Sequence, residues 1–222
     1  MDQVIVKKCD HYENCAEIIF DMLDSCGLDI REGTKVLVKP NLLMPKKPES
    51  AVVTHFKIVK AVVSYVEKRG GTVTIADSPG GPYNKKYLDI LYKETKMTEA
   101  CSDQTILNYD EKSRVADYKN AMVLKRLDII EPYFTNDIII NLAKLKTHCF
   151  AYYTGATKNL FGFIPGLIKA EYHFRLKHDD LFFKALIDIA EFVKPTVSII
   201  DGIDGMEGEG PTSGKKKLRV FS

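Results

Sequence analysis

The chain has 222 residues, of which 45% are apolar, and its formal net charge is only +2. This near-neutral balance argues against a dedicated nucleic-acid-binding protein, which is normally strongly basic. No window of the sequence has the length and hydrophobicity of a membrane span, and the N-terminus has no signal-peptide pattern, so we predict a cytoplasmic protein with no membrane partner.

The five cysteines are odd in number, widely spaced and without a C-x-x-C pair. This pattern predicts reduced thiols rather than a disulfide framework, and it predicts no iron–sulfur cluster held by this chain. A metal site formed by Cys9, Cys15, Cys26 and His11 is an alternative, although Cys15 and Cys26 also fit the apolar face of a helix.

The first third of the chain alternates between short β-branched runs and amphipathic segments. The predicted elements, in order, are a strand at 4–6, a helix at 13–26, a strand at 35–38, a helix at 55–69 and a strand at 73–75. Short connections between alternating strands and helices predict a parallel sheet with right-handed crossovers.

The rest of the chain continues this alternation after a less regular segment. Residues 101–131 contain strand candidates at 105–107 and 121–124, which we interpret as an antiparallel or edge addition. The further predicted elements are a helix at 84–98, a strand at 138–140, a helix at 181–193 and a strand at 196–200. We therefore predict one Rossmann-like α/β domain over residues 1–222, with a mainly parallel sheet flanked by helices.

The segment from residue 136 to 166 is the centre of the functional prediction. Its buried strand is predicted to end in a polar, cationic loop, and the window 139–178 carries six Lys or Arg against a single acid. A cationic loop that follows a buried strand is typical of an anion-binding site in an α/β protein. The alternative is a solvated basic surface.

Polar residues follow four of the predicted strands, and parallel strands place their carboxyl ends at one edge of a sheet. We therefore expect these residues to converge on one crevice that binds a small phosphorylated or carboxylated ligand. The predicted ligand-binding residues are Lys39, Asn41, Ser78, Lys144, Lys146, Thr147, His148, Lys158, Asn159, Thr212 and Ser213.

Carboxylates at two of these strand ends predict a site for Mg²⁺ or a similar divalent cation, because hard cations prefer oxygen ligands. The predicted metal ligands are Asp77, Asp201, Asp204 and Glu207. The alternative is a strand-to-helix turn at Asp77 and a flexible acidic loop after Asp201. Asp77, Lys146 and His148 are the candidate catalytic residues, with no reaction specified.

Five motifs in this order resemble the bacterial and archaeal family called domain of unknown function 362. They are Val38–Asn41, Ala76–Pro79, Asn141–His148, Thr157–Gly162 and Asp201–Gly214. The resemblance implies an association with iron–sulfur proteins, because many members carry an added ferredoxin-like domain whose cysteines this chain lacks. Relatives also look longer at the C-terminus, so we expect an exposed sheet edge here and self-association through it.

Three functions are consistent with the sequence. The first is an enzyme or binding protein for a small anion, with a divalent metal at the strand ends. The second is a redox accessory of iron–sulfur proteins, as the resemblance implies. The third is a non-catalytic module that presents the basic face of residues 144–178 to an acidic partner.

Overall fold

The computed structural model describes residues 4–176 and 179–218. Its helices are α1 Cys15–Ser25, α2 Phe56–Glu67, α3 Lys85–Glu94, α4 Ala156–Asn159, α5 Ile168–Arg175 and α6 Asp179–Val193. Its strands are β1 Lys35–Pro40, β2 Thr72–Ile75, β3 Ile106–Leu107, β4 Ser113–Asp117, β5 Arg126–Ile130, β6 Ile138–His148, β7 Tyr152–Thr154, β8 Val197–Glu207 and β9 Lys215–Leu218.

The main sheet has the strand order β3-β2-β1-β6-β8-β9, and β7 pairs with the far end of β6. The pairs β3–β2, β2–β1, β1–β6 and β6–β8 are parallel, whereas β7 and β9 run antiparallel to their neighbours. The predicted mainly parallel sheet is therefore confirmed. The carboxyl ends of β1, β2, β6 and β8 lie at one edge of it, because parallel strands share their direction.

Helices cover both faces of the sheet, which explains the apolar run Val36–Val38 in β1. Val36 and Val38 point into a core with α1, α2 and α3, whereas Leu37 points into a second core with α6 and β5. Successive side chains of a strand face opposite sides, so a strand covered on both faces reads as a continuous apolar run. The layered Rossmann-like prediction is confirmed.

The helices α1, α2 and α6 were predicted from apolar spacing, whereas α4 and α5 were not predicted. In α1 the buried residues Cys15, Ile19 and Leu23 recur every four positions and form one stripe. In α6 the stripe is carried by Phe182 and Ile189, each with a completely buried side chain. The prediction failed for Cys26, which is exposed just beyond the end of α1.

The predicted first strand at residues 4–6 is wrong. These residues carry no regular secondary structure, and the side chains of Val4 and Val6 are 87% and 71% exposed. A β-branched run becomes a strand only when a neighbouring strand pairs with it, and the sheet begins in sequence with β1 instead.

The segment 101–131 contributes to two separate sheets. β3 extends the main sheet as a parallel edge strand, whereas β4 and β5 form an antiparallel pair of their own. The strand candidate at 121–124 is wrong, because the backbone N–H groups of Met122, Val123 and Leu124 donate to the carboxylate of Asp188 on α6. A side chain has taken the place of a partner strand there.

Two segments predicted as loops are strands in the structure. β6 continues through Asn141 to His148, and β8 continues through Asp201 to Glu207, where β9 pairs with it. Their polar side chains therefore project from a hydrogen-bonded backbone. This rigidity separates residues that a flexible loop would have brought together.

Two further predictions concern partners. No helix in the described ranges combines the length and hydropathy needed to cross a membrane. β3 and β9 stand at the two ends of the strand order, and self-association through a sheet edge stays a prediction.

Candidate functional site

A cavity of about 280 Å³ opens where the ends of β1, β2 and β6 meet the segment that carries α4 and α5. Seven residues predicted from the sequence line it, namely Asn41, Asp77, Ser78, Lys146, His148, Lys158 and Asn159. The others are Leu43, Gly80, Thr154, Phe161, Gly162, Lys169, Ala170 and Pro211. The lining therefore combines polar and cationic side chains with apolar ones.

Asp77, which lines the cavity, belongs to a buried ion pair. Lys39 Nζ lies 2.6 Å from Asp77 Oδ1, and the exposed fractions of the two side chains are 0% and 4%. The other carboxylate oxygen, Oδ2, accepts from the backbone N–H of Leu42 at 2.7 Å. Burial lowers the pKa of Lys39, and the negative charge of Asp77 opposes that shift. Both oxygens of Asp77 are therefore engaged, and its charge is balanced.

A glycine covers this ion pair. A methyl group built on Gly162 would overlap Asp77 Oδ1 and Lys39 Nζ, so only glycine lets the backbone of this segment lie against the charged pair. The backbone N–H of Ser78 donates to the carbonyl of Gly162 at 3.0 Å. This bond holds the segment of Gly162 against the residues that follow β2.

Three lysines reach the cavity from different elements. Lys146 on β6 donates to Asn41 Oδ1 at 3.0 Å and to the carbonyl of Val52 at 2.5 Å. Lys169 on α5 donates to the carbonyl of Ser78, to Ser78 Oγ at 3.2 Å and to the carbonyl of Pro79 at 2.6 Å.

Lys158 on α4 differs from the other two lysines. Its ammonium group stands over the rings of Phe161 and Phe182, at 5.3 Å and 5.6 Å from their centroids. No described residue places a hydrogen-bond acceptor or a carboxylate at bonding distance from its Nζ.

Burial makes all three ammonium groups easier to deprotonate than an exposed lysine. It lowers the pKa of Lys146 and of Lys169 to about 7 and that of Lys158 to about 8. The positive charge of Lys158 lowers the pKa of both other lysines further. The negative charge of Asp77 raises the pKa of Lys146 and Lys169 in opposition, but Asp77 is already paired with Lys39. Among the described residues, none of the three lysines therefore has a carboxylate partner of its own.

Two other cavity side chains, those of Thr154 and His148, bear on ligand binding. Thr154 is 3% exposed, and its Oγ1 has no hydrogen-bond partner among the described residues. His148 Nδ1 accepts from the backbone N–H groups of Phe150 and Ala151, both at 3.1 Å, so the neutral ring carries its proton on Nε2.

A chain of hydrogen-bonded asparagine side chains, the carboxamide chain, connects the elements that carry the cavity lysines. Asn41 Nδ2 donates to Asn159 Oδ1 at 2.9 Å, and Asn159 Nδ2 donates to Asn141 Oδ1 at 2.7 Å. Asn141 Nδ2 in turn donates to the carbonyl of Ala156 and to Ser198 Oγ, both at 3.0 Å. These bonds join β1, β6 and β8 to α4 and hold the backbone that carries Lys158.

Lys144, predicted to bind the ligand, belongs to a different cluster. Its Nζ lies 2.8 Å from Asp201 Oδ2 and 2.9 Å from the hydroxyl of Tyr12, and the lysine and the aspartate are fully buried. The backbone N–H of His55 also donates to Asp201, and its ring stacks on that of Tyr12. This cluster fastens the segment before α1 to the sheet and does not line the cavity.

The four predicted metal ligands do not meet. Asp77 pairs with Lys39, Asp201 with Lys144, Asp204 with Lys216 and Glu207 with Lys217. Across the described part of the chain, no three His, Cys, Asp or Glu side chains are grouped so that they could hold a metal ion, which also applies to Cys9, Cys15, Cys26 and His11. Each carboxylate has a lysine as its partner instead.

The remaining predicted residues lie outside the cavity. Thr147 lies against Gly210, where an added Cβ would overlap the Thr147 carbonyl. Thr212 and Ser213 are exposed, and their hydroxyl oxygens lie 3.4 Å apart. Eight lining residues were not predicted as site residues, and Lys169 and Thr154 are the two of them with polar side chains. The charge excess over 139–178 includes Lys169, and that excess was the available signal for it.

The comparisons with known proteins agree with this architecture. The chain is 32% identical over 204 residues to thylakoid-associated protein sll1697 from Synechocystis sp., a match that covers 88% of this chain. The chain spans 60% of the length of that relative. The relative's name associates it with thylakoids, and a cytoplasmic location for this chain stays a prediction.

Among solved structures, the lactate racemase apoprotein from Thermoanaerobacterium thermosaccharolyticum has a similar fold, with a TM-score of 0.54 at 11% identity. The match covers 86% of this chain and 49% of the racemase chain, and at that identity it shows the α/β fold alone. The family model described as "Domain of unknown function (DUF362)" matches residues 36–221. The chain belongs to this family, as its five motifs indicated.

Proposed function

We propose that this protein binds a small organic anion, phosphorylated or carboxylated, in the cavity lined by Lys146, Lys158 and Lys169. The observation that carries the proposal is the charge imbalance at this cavity. Three ammonium groups line it, and its one carboxylate, Asp77, is already paired with Lys39.

Electrostatics favours an anion as the missing partner. A buried charge without a counter-charge costs several kcal/mol, and an anionic ligand would offset that cost for all three lysines at once. The unpartnered hydroxyl of Thr154 offers a further hydrogen bond to a ligand oxygen. The apolar wall of Leu43, Phe161 and Pro211 would contact the rest of the molecule.

The size of the cavity limits the ligand. About 280 Å³ is at the lower end of the range for small-molecule sites, so it fits a compact metabolite-sized anion rather than a nucleotide. Binding of a divalent metal is not part of the proposal, because each predicted carboxylate ligand has a lysine partner.

The test is calorimetric titration with hydroxyethyl phosphate and with glycolate at constant ionic strength. We expect binding of one of them by the wild-type protein, and a loss of roughly 10–100-fold in Lys158→Met, which removes one charge-assisted contact of about 1.5–3 kcal/mol. Lys60→Met is the matched control, because Lys60 is exposed on α2 and does not line this cavity.

Circular dichroism would establish that both variants are folded. If neither anion binds the wild-type protein, or if the two substitutions lower affinity equally, the cavity does not bind anions of this kind.

A further inference from the structure

We propose that Lys158 is a nucleophile that forms an imine with an aldehyde or keto group of the anion bound in this cavity. The inference rests on the proposed function and deepens it, since it identifies the ligand as a small phosphorylated or carboxylated carbonyl compound. The observation that carries it is the difference in hydrogen bonding among the three cavity lysines.

The amino groups of two of these lysines are bound to oxygen acceptors. Lys169 has three acceptors, which account for all three of its N–H bonds, and Lys146 has two. The N–H bonds of both side chains point at fixed oxygen atoms of the protein, so neither amino group is placed to attack a carbonyl carbon. Lys146 keeps one N–H bond with which it could hold an anionic group.

Lys158 lacks such acceptors among the described residues, and aromatic rings flank its Nζ. With a pKa of about 8 it is about half free amine at pH 8, whereas an exposed lysine with a pKa of about 10.4 is less than about 1% free amine. An amine desolvated next to other cationic groups is the usual arrangement of a lysine that reacts with carbonyl compounds.

The cavity also supplies contacts for the rest of such a ligand. The third N–H of Lys146 has no acceptor among the described residues, and the Thr154 hydroxyl is likewise unpartnered. Both residues line the same cavity as Lys158. An anionic group held by Lys146 and Thr154 would therefore place its attached carbonyl carbon within the same small space as the Lys158 amine.

The reaction is balanced without a further reagent. The Lys158 amine attacks the carbonyl carbon, so a C–N bond forms, the C=O π bond breaks and the oxygen takes up a proton to give a carbinolamine. The hydroxyl then leaves as water with a second proton, and a C=N bond forms. Amine and carbonyl compound give imine and water, with no change in oxidation state.

The experiment uses glycolaldehyde phosphate, with glyoxylate in a second arm to distinguish a phosphate from a carboxylate as the anionic group. The wild-type protein is incubated with each compound at pH 8, reduced with borohydride and analysed by peptide mass spectrometry. We expect an added mass on Lys158 equal to that of the aldehyde less one oxygen atom. It should form about 100-fold faster than on exposed Lys60, as the free-amine fractions require.

The matched control ligands are hydroxyethyl phosphate and glycolate, which lack the carbonyl group, should compete with labelling and should leave no adduct. Lys158→Arg keeps the charge but cannot form an imine, so it should lose the adduct, whereas Lys60→Met should keep both anion binding and the adduct. Circular dichroism of the Lys158→Arg variant shows whether it is folded.

The outcomes separate the two proposals. Binding of hydroxyethyl phosphate or glycolate without an adduct from either aldehyde overturns the imine and leaves anion binding in place. Labelling of Lys158 and Lys60 at similar rates, or labelling that the control ligands do not reduce, also overturns it. If no anion binds, the proposed function itself fails.

Discussion

At Gly162 the backbone lies directly against two charged groups. This residue lies over the buried pair of Lys39 and Asp77, and any side chain there would overlap both charged groups. Separating the two groups of a buried ion pair is destabilising, because each charge would then lie in an apolar environment without an opposite charge nearby.

We therefore expect Gly162→Ala to lower the free energy of unfolding by about 2–4 kcal/mol, measured by urea denaturation. Gly80→Ala is the matched control, because the nearest atom to its new methyl group would be the flexible tip of Leu43 at 3.1 Å. That control should cost less than about 1 kcal/mol. Equal losses in the two variants would show that the ion pair moves freely.

At the scale of residues, the sequence allowed prediction of the side chains that come just after the end of a strand in the chain. Asn41, Asp77 and Ser78 were predicted in this way, and all three line the cavity. Lys144 and Lys146 are only two positions apart, and nothing in the sequence distinguishes the lysine that pairs with Asp201 from the one that faces the cavity. Which buried lysine finds a carboxylate depends on long-range packing.

At the scale of elements, β6 is much longer than the strand predicted at 138–140. Its apolar run is clear from the sequence, but the polar residues after Ile140 read as a loop, because alternation of buried polar groups resembles an exposed segment. They remain in the strand because β8 continues to pair alongside and because Asn141 is satisfied by side-chain partners. Hydrogen bonding by residues distant in sequence is not encoded in local pattern.

The carboxamide chain makes α4 dependent on the sheet. Asn159 is 2% exposed and uses both ends of its side chain, so Asn159→Leu would remove the acceptor of Asn41 Nδ2 and the donor to Asn141 Oδ1. We expect a loss of about 2–4 kcal/mol in stability and faster amide hydrogen exchange over residues 156–163.

The exposed Asn120→Leu is the control for this substitution, and it should change stability by less than about 0.5 kcal/mol. Unchanged exchange over 156–163 in the Asn159 variant would mean that packing alone, without the amide chain, holds the segment that carries Lys158.

At the scale of the whole molecule, the parallel sheet follows from the alternation of strands and helices along the chain. The cavity follows from the parallel sheet, because parallel strands bring their carboxyl ends to one edge. Alternating strands and helices with short connections allow few topologies, so the layered sheet could be predicted. The N-terminal segment could not be, because its place is set by Tyr12 contacting Lys144 and Asp201 far along the chain. Contacts of that range require the folded structure.

The buried lysines also give the folded protein an unusual dependence on pH. A lysine of the unfolded chain keeps its proton up to about pH 10.4, whereas burial lowers the pKa of Lys146 and Lys169 to about 7 in the native state. Between those values the unfolded chain binds more protons than the native protein, so the free energy of unfolding rises with pH. His55, with a pKa lowered to about 4 by burial, acts in the same direction mainly below about pH 6.5.

We expect the ligand-free protein to gain roughly 1–3 kcal/mol of stability between pH 6.5 and pH 8, measured by urea denaturation at constant ionic strength. Lys169→Met should reduce this slope by roughly a third, whatever it does to stability at a single pH, while the exposed Lys60→Met should leave the slope unchanged. A bound anion stabilises the ammonium forms, so the increase in Tm that it produces should be larger at pH 6.5 than at pH 8. A flat profile in the wild-type protein would mean that the cavity lysines keep their protons without a ligand, through water or ions that solvate them.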